Sequence, residues 1–392
     1  MTRVSRSKVD QILIESLSSD RPVAAELEQS ECALLWASAR DHCLVPYLHR
    51  RWTSSGFIHS LPPATAQRFS MAREMNSERN GRLLRTLGEL CSALGESGIP
   101  VLISKGLPVS QAYYGDIGLR VLYDLDLLIG AGDKERAFDV LHSVGYRPFG
   151  SNLGRNEEQT LLWRPKHYDW TADGIFDPEQ PCFVELHTKP WESGWHGFGL
   201  RCNLDLWKDH RILEMGGMSI QVPMEEKLLV HLAVHYACNV LESNARLMHL
   251  LDIILLLRSR GNDLDWNLIL DEIDRNRATP FCFLALDLAR RANGCVLPEK
   301  VWSDLRRATP RGIVDWLALR GVDDAASMNL HHRELSLIYS LHWHMAAGCS
   351  ETASVLLYSL RSPWFEGAGP GRWLSLYRRV AQRLQHLPRA YS

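Results

Sequence analysis

Two aspartates stand in an otherwise apolar run near the end of the segment LISKGLPVSQAYYGDIGLRVLYDLDLLI, residues 102–129. The run VLYDLDLLI predicts a strand, and side chains two positions apart on a strand point to the same face. Asp124 and Asp126 therefore project side by side from a segment that excludes water. Two unpartnered carboxylates held that close repel each other and cost stability. A divalent cation removes this cost, so the pair predicts a metal site.

Length and composition limit the class of protein. A chain of 392 residues is long for one core, which favours two or three structural units, and 45% hydrophobic with 23% charged residues is typical of a globular protein. A net charge of −2 argues against a general attraction to nucleic acid or membranes. Nine cysteines without a CxxC pair predict reduced thiols rather than a disulfide framework. Without a signal peptide or a bilayer-length apolar run, we expect a cytoplasmic protein.

Three regions follow one another along the chain. Residues 1–97 have apolar side chains at helical spacing and predict an N-terminal helical region. Residues 98–223 alternate between short strands and helices and predict a small α/β or α+β core. Residues 224–392 predict a C-terminal helical domain that ends in a basic helix at 373–387. The expected fold class is α+β, with a small mixed sheet flanked by helical regions.

A second polar strand supplies a third carboxylate. In CFVELHT, residues 182–188, Phe183, Glu185 and His187 share one face of the predicted strand. If this strand lies beside the first, Glu185 completes a nest of three carboxylates, which suits Mg²⁺ or Mn²⁺. A salt bridge from Glu185 to Arg120 or Lys189 is the alternative. For His187, a hydrogen bond to a carboxylate and a contact with substrate are equally open.

A Lys-Gly pair follows the first short strand and predicts phosphate binding. Gly106 lets the backbone approach a ligand closely, and N–H groups at a helix start bind phosphate. Lys105 adds a point charge suited to a triphosphate. Arg120, just ahead of the aspartate strand, could donate a fork of hydrogen bonds to phosphate oxygens.

Together these blocks resemble an uncharacterised nucleotidyltransferase family within the polymerase-β-like superfamily, over roughly residues 75–295. The resemblance implies that Asp124, Asp126 and Glu185 are both the catalytic and the metal-binding residues. It also implies an NTP co-substrate, and an acceptor that is a peptide or small molecule. The blocks that carry it are Lys105-Gly106, Tyr114-Gly115, Arg120, Asp124 to Leu128, Gly145-Tyr146, Glu185 with His187, His231, His235, Arg246, Leu251-Asp252 and Asp265-Trp266.

Several alternatives stay open at this level. The same carboxylate nest could serve γ-phosphoryl transfer, or the protein could bind a nucleotide or peptide without catalysis. His231 and His235 lie four residues apart on one predicted helix and could line a cleft, sit in the interior or ligate zinc. Neither the acceptor, the preferred nucleotide nor the oligomeric state follows from the sequence.

Overall fold

A computed structural model describes residues 3–18, 27–149, 159–242, 244–293 and 297–320, and seven single positions from Val322 to Val355. The predicted basic helix at 373–387 and the histidines His331, His332, His342 and His344 lie outside the described residues. Within the described part, no helix has the length and apolarity needed to cross a membrane. Its cysteines are free thiols, as the irregular spacing predicts.

Helices form at both ends of the described chain, where apolar residues recur every three or four positions. The first group comprises α1 (Arg3–Ser18), α2 (Gln29–Asp41), α3 (Val45–Ser55), α4 (Pro63–Glu96), α5 (Leu107–Val109) and α6 (Lys134–Ser143). The second comprises α7 (Glu225–Leu241), α8 (Leu247–Arg260), α9 (Trp266–Arg275), α10 (Thr279–Asn293), α11 (Glu299–Ala308) and α12 (Arg311–Ala318).

Residues 102–222 contribute one sheet of seven strands, and α5 and α6 lie between its first strands along the chain. Its strands are β1 (Leu102–Ile103), β2 (Asp124–Leu128), β3 (Arg147–Pro148), β4 (Gln159–Trp163), β5 (Phe183–His187), β6 (Arg211–Met215) and β7 (Met218–Val222). Their order is β3-β4-β5-β2-β1-β7-β6. The pairs β2–β5 and β1–β7 are parallel and the other pairs antiparallel. The predicted α+β class with a mixed sheet is confirmed.

The hairpin β6–β7 has no counterpart among the strands predicted from the sequence. Its two-residue turn is Gly216-Gly217, and both residues have positive φ, +58° and +79°. Such a turn matches the twist of an antiparallel pair and favours glycine at both positions. The Gly-Gly pair was therefore the signal that identifies this hairpin.

The main core lies between α4, α6 and one face of the sheet. Leu83, Leu87, Leu90 and Leu94 of α4 are buried there with strand residues of the opposite layer, namely Leu125, Leu127, Val184, Leu186, Ile220 and Val222. Since α4 belongs to the predicted N-terminal region, this region supplies one layer of the sheet's own core.

The described residues form two compact units by contact. Those of 1–193 and 200–345 form the first, which contains the sheet and helices α1–α12, and those of 194–199 and 346–392 form the second. The division into three regions at residues 97 and 223 stays a prediction.

Candidate active site

The predicted carboxylates lie on neighbouring strands. β2 and β5 pair in parallel with Asp126 opposite Glu185, and Asp124 is opposite Phe183. Paired residues of a sheet point to the same side. The side chains of Asp124, Asp126 and Glu185 therefore share one face of the sheet, although 59 to 61 residues separate them along the chain.

The alternation of the two strands explains why one face is polar. Leu125 and Leu127 of β2, with Val184 and Leu186 of β5, point to the opposite face and are buried in the core. Their burial fixes the register, because a slip by one residue would expose all four leucine and valine side chains. Apolar packing on one face thus positions the acidic residues on the other.

Two cations neutralise part of this acidic cluster. The Lys105 ammonium donates a hydrogen bond to Oδ1 of Asp126. The Nε2 atom of His187 lies 3.2 Å from the same Oδ1 and 3.2 Å from Oε2 of Glu185. Asp126 is only 2% exposed, so these two contacts supply the compensation that a buried carboxylate needs.

The cluster shifts the pKa values of its members in different directions. Burial, with repulsion from Asp126 and Glu185, raises the pKa of Asp124 to about 7. Burial opposes ionisation of Asp126 too, but Lys105 and His187 outweigh it and hold the pKa of this carboxyl well below its usual range. Burial also opposes protonation of His187, yet its hydrogen bonds with Asp126 and Glu185 raise its pKa to about 9. These shifts favour the charged forms of Asp126 and His187 and the neutral form of Asp124.

Lys105 keeps its charge in the same environment. Burial lowers the tendency of its amine to be protonated, but Asp126, Asp124 and Glu185 together raise its pKa above the ordinary value. The lysine is thus a permanent cation placed directly at the acidic cluster.

Gly106 allows the backbone to turn beside the cluster. Its φ of +79° lies in the region that favours glycine. A Cβ atom at this position would also lie 3.9 Å from Oδ2 of Asp126 and 3.6 Å from Cδ2 of Leu122. Both distances are ordinary van der Waals contacts, so the positive φ rather than a lack of space favours glycine here, and the approach of the Gly106 backbone to a phosphate stays a prediction.

Arg120 makes its strong contacts on the side of α8. Its Nε and Nη2 atoms donate to Oδ1 and Oδ2 of Asp252 at 2.9 and 2.8 Å, and the Tyr114 hydroxyl donates to Oδ1 at 2.7 Å. The side chains of Arg120 and Asp252 are 6% and 1% exposed. In the structure the guanidinium of Arg120 therefore pairs with Asp252. A contact between Arg120 and a triphosphate stays a prediction.

Two asparagines of α4 hold the segment that leads into β2. The Asn76 amide donates to the carbonyl oxygens of Gly118 and Arg120 at 2.7 and 3.2 Å, and the Asn80 amide donates to Arg120 at 2.7 Å. Both asparagines are fully buried. Sequence reasoning missed them and the Tyr114–Arg120–Asp252 network, although a lone aspartate in the apolar helix LMHLLDIILLL needs a buried partner and could have indicated the network.

The histidines of α7 lie close enough to the acidic cluster for its charges to influence their pKa values. Burial, followed by the charge of Lys105, lowers the pKa of His231 to about 3, and both factors also lower that of His235 well below its ordinary value. His231 stacks on Trp191 with ring centroids 6.2 Å apart and an interplanar angle of 13°. His235 contacts His249 at 5.0 Å between centroids. His231 is thus buried and His235 half-buried, and the lowered pKa of each favours its neutral form.

The other residues of the predicted blocks have structural contacts. The Asp265 carboxylate caps α9 by accepting from the backbone of Asn267 and Leu268 at 3.0 and 3.2 Å. Arg246 places its guanidinium 4.2 Å from the centre of the Tyr123 ring. Both interactions fix helices of the second group in place.

The donor set of the cluster fits a divalent cation. Among the described residues, Asp126, Glu185 and His187 each offer one ligand atom, and these atoms all lie within 4.8 Å of one another. Two carboxylates and an imidazole suit Mg²⁺ less and Mn²⁺ more than a pure oxygen nest would. The metal set predicted from the sequence was Asp124, Asp126 and Glu185, so His187 joins two of its members while Asp124 lies outside this group.

The acidic residues on adjacent strands of the small mixed sheet, with the Lys-Gly turn beside them, are among the blocks on which the resemblance to nucleotidyltransferases rests. The profile of a family described as uncharacterised nucleotidyltransferase matches residues 28–294. The chain belongs to this family. No curated protein matches the sequence.

Proposed function

We propose that this protein transfers a nucleoside monophosphate from an NTP to a hydroxyl or phosphate of an acceptor, with the help of a divalent metal. The observation that carries the proposal is the side-by-side placement of Asp126 and Glu185 on paired strands, with Asp124 on the same face and Lys105 bound to Asp126. Nucleotidyl transfer needs an acidic metal site next to a cation that holds phosphate.

Asp126, Glu185 and His187 would hold the metal, and Asp124 would contribute a further carboxylate from two residues away on the same strand. Bound there, Mg²⁺ or Mn²⁺ would neutralise the charge of the triphosphate and ease deprotonation of the acceptor hydroxyl. His187 is protonated at neutral pH in the contacts described. It would have to release its proton to act as a ligand, or would keep it and orient the two carboxylates.

The remaining side chains have separable roles. Lys105 would bind the triphosphate as a point charge, and Gly106 would let the backbone come close to it. Glu185 would ligate the metal or take the proton of the acceptor.

The Arg120–Asp252 pair would have a supporting role, because it would hold the aspartate strand in position. It joins the segment before β2 to α8, and Asn76 and Asn80 hold the backbone of the same segment from α4. The aspartate strand would therefore be clamped between helices of both groups. Such support keeps catalytic groups within the narrow tolerance that transfer chemistry requires.

The acceptor would be a peptide or a small molecule, because the chain has no net positive charge that would favour nucleic acid. The direct test is incubation of the purified protein with Mg²⁺, host extract and each of the four NTPs, labelled either at the α or at the γ phosphate. Label from the α position in an acceptor supports nucleotidyl transfer. Label from the γ position alone would instead show phosphoryl transfer.

The variant Asp126→Asn serves as the negative control for this incubation. Binding of Mg-NTP by calorimetry, without a labelled product from either position over long incubation, would contradict the proposal and favour a protein that only binds nucleotides.

A further inference from the structure

A cavity lies beside α4, next to the segment that leads into β5. It has a volume of ≈ 180 Å³, and Arg79, Arg82, Leu83 and Thr86 line it from one face of α4. Cys182 lines it from the residue before β5, and packs against the core. Segments 164–166 and 178–181 complete its walls.

Arg79 is the most unusual residue of this cavity. Its side chain is 1% exposed, and its Nε donates to Oε1 of Gln180 at 3.1 Å. In the described part of the chain, neither Nη1 nor Nη2 has a hydrogen-bond partner. Burial lowers the pKa of this guanidinium, against the influence of Cys182 and Asp124. A buried charge with two unsatisfied donors is costly unless an anion or other acceptor reaches it.

The other charged residues of the wall make the cavity cationic. Arg82 and Lys166 both bind Glu179, the latter pair at 2.5 Å. Arg164 lies 4.9 Å from the centre of the Tyr146 ring and 3.4 Å from Oε2 of Glu89. Four cationic side chains and one carboxylate line the cavity, and Glu89, which lies outside the lining, pairs with Arg164, so the excess is two positive charges.

We propose that this cavity binds a phosphate-type oxyanion, with Arg79 as the anchor. The planar guanidinium offers paired N–H donors that match the geometry of an oxyanion. A volume of ≈ 180 Å³ is below the usual range for sites that enclose a drug-sized ligand, so the cavity fits one anionic group rather than a whole nucleotide. This site goes beyond the proposed transfer reaction and does not depend on it.

The probe is inorganic phosphate, titrated into the full-length protein and followed by calorimetry at constant ionic strength set with chloride. We expect one phosphate to bind the wild type, and Arg79→Gln to weaken it about 10- to 100-fold through the loss of charged hydrogen bonds. Arg85→Gln, on the exposed face of the same helix, is the matched control and should bind as the wild type does.

Further variants separate this cavity from the acidic cluster and from a folding defect. Lys105→Met, measured once circular dichroism shows that the variant is folded, should keep the phosphate affinity, because Lys105 does not line this cavity. Arg164→Gln removes a cation from the rim of the cavity and should weaken binding even if Arg79→Gln fails to fold. Phenyl phosphate and acetate, titrated in the same way, show whether the group is free phosphate, a phosphate ester or a carboxylate.

Three results would overturn the proposal. They are the lack of phosphate binding by the folded wild type, a phosphate affinity that stays unchanged both in Arg164→Gln and in a folded Arg79→Gln, and loss of binding in a Lys105→Met variant that is folded. The last result would place the phosphate at the acidic cluster.

Discussion

Asp126 and Glu185 occupy directly paired positions of the parallel strands β2 and β5. The pairing brings two carboxylates together from parts of the chain that are far apart in sequence. Their shared neighbour, His187, lies 3.2 Å from an oxygen of each. In this cluster, cations thus offset part of the negative charge of the carboxylates, and the protonation of each group depends on the others.

Removal of the charge of Asp126 should abolish turnover without unfolding the protein. In Asp126→Asn, the loss of a metal-ligating carboxylate should lower the rate of Mg²⁺-dependent transfer by at least about 100-fold, since metal contacts contribute several kcal/mol to such reactions. The rate of label transfer and the circular dichroism spectrum measure both effects. Asp139→Asn, at an exposed position of α6, is the control with unchanged rate. Turnover retained in Asp126→Asn would remove the basis of the proposed function.

Lys105 should behave as the counter-ion of Asp126 when no metal is present. We expect Lys105→Met to destabilise the metal-free protein by about 3 kcal/mol, because it leaves a buried carboxylate without its cation. Added Mn²⁺ should then raise the midpoint of thermal unfolding more in the variant than in the wild type. Equal metal-induced shifts in the two proteins would show that the metal does not share the acidic cluster.

The Arg120–Asp252 pair should be strongly coupled. Either Arg120→Met or Asp252→Leu alone should cost about 3–5 kcal/mol, because each leaves an uncompensated buried charge. The double variant should cost much less than the sum of the two, and a double-mutant cycle by urea denaturation measures the difference. Additive losses would indicate that the two side chains do not stabilise each other in solution.

We expect the free energy of unfolding to decrease as the pH falls, partly because of His231. Its pKa is about 3 in the folded protein, against 6.5 ordinarily. Between these values the unfolded chain binds a proton that the folded chain does not, so the free energy of unfolding decreases as the pH falls. His231→Phe should reduce this slope by about 1.4 kcal/mol per pH unit across the window from 6.5 to 3.

Urea denaturation at a series of pH values measures this slope. His59→Gln, at an exposed position, should leave it unchanged. An unaltered slope in His231→Phe would mean that the imidazole is accessible to protons in the folded state.

Much of the architecture followed from periodicity. The long helix α4 and the short strands β2 and β5 have strong local patterns, and the structure confirms them. The hairpin β6–β7 did not follow from periodicity, because apolar and polar residues alternate over only a few positions in each of its strands. Its glycine turn is informative only once the neighbouring strands are known.

The contacts of single side chains were harder to anticipate. Arg120 was expected to face phosphate, yet a buried acid on α8 engages it, and the partner lies 132 residues away. His187 was open between two roles, and its position beside Asp126 depends on the register of two strands. Nothing local in the sequence encodes which distant group a polar side chain will meet.

The sequence by itself determined that acidic side chains would share strand faces, because alternation along a strand is a local property of the backbone. It also determined where a glycine would permit a tight approach. Only the tertiary structure decided that β2 and β5 are neighbours, that Lys105 binds Asp126, and that Arg79 is buried with unsatisfied donors. These outcomes depend on how the apolar faces of strands and helices bury one another, since hydrophobic burial is non-directional and selects the arrangement as a whole.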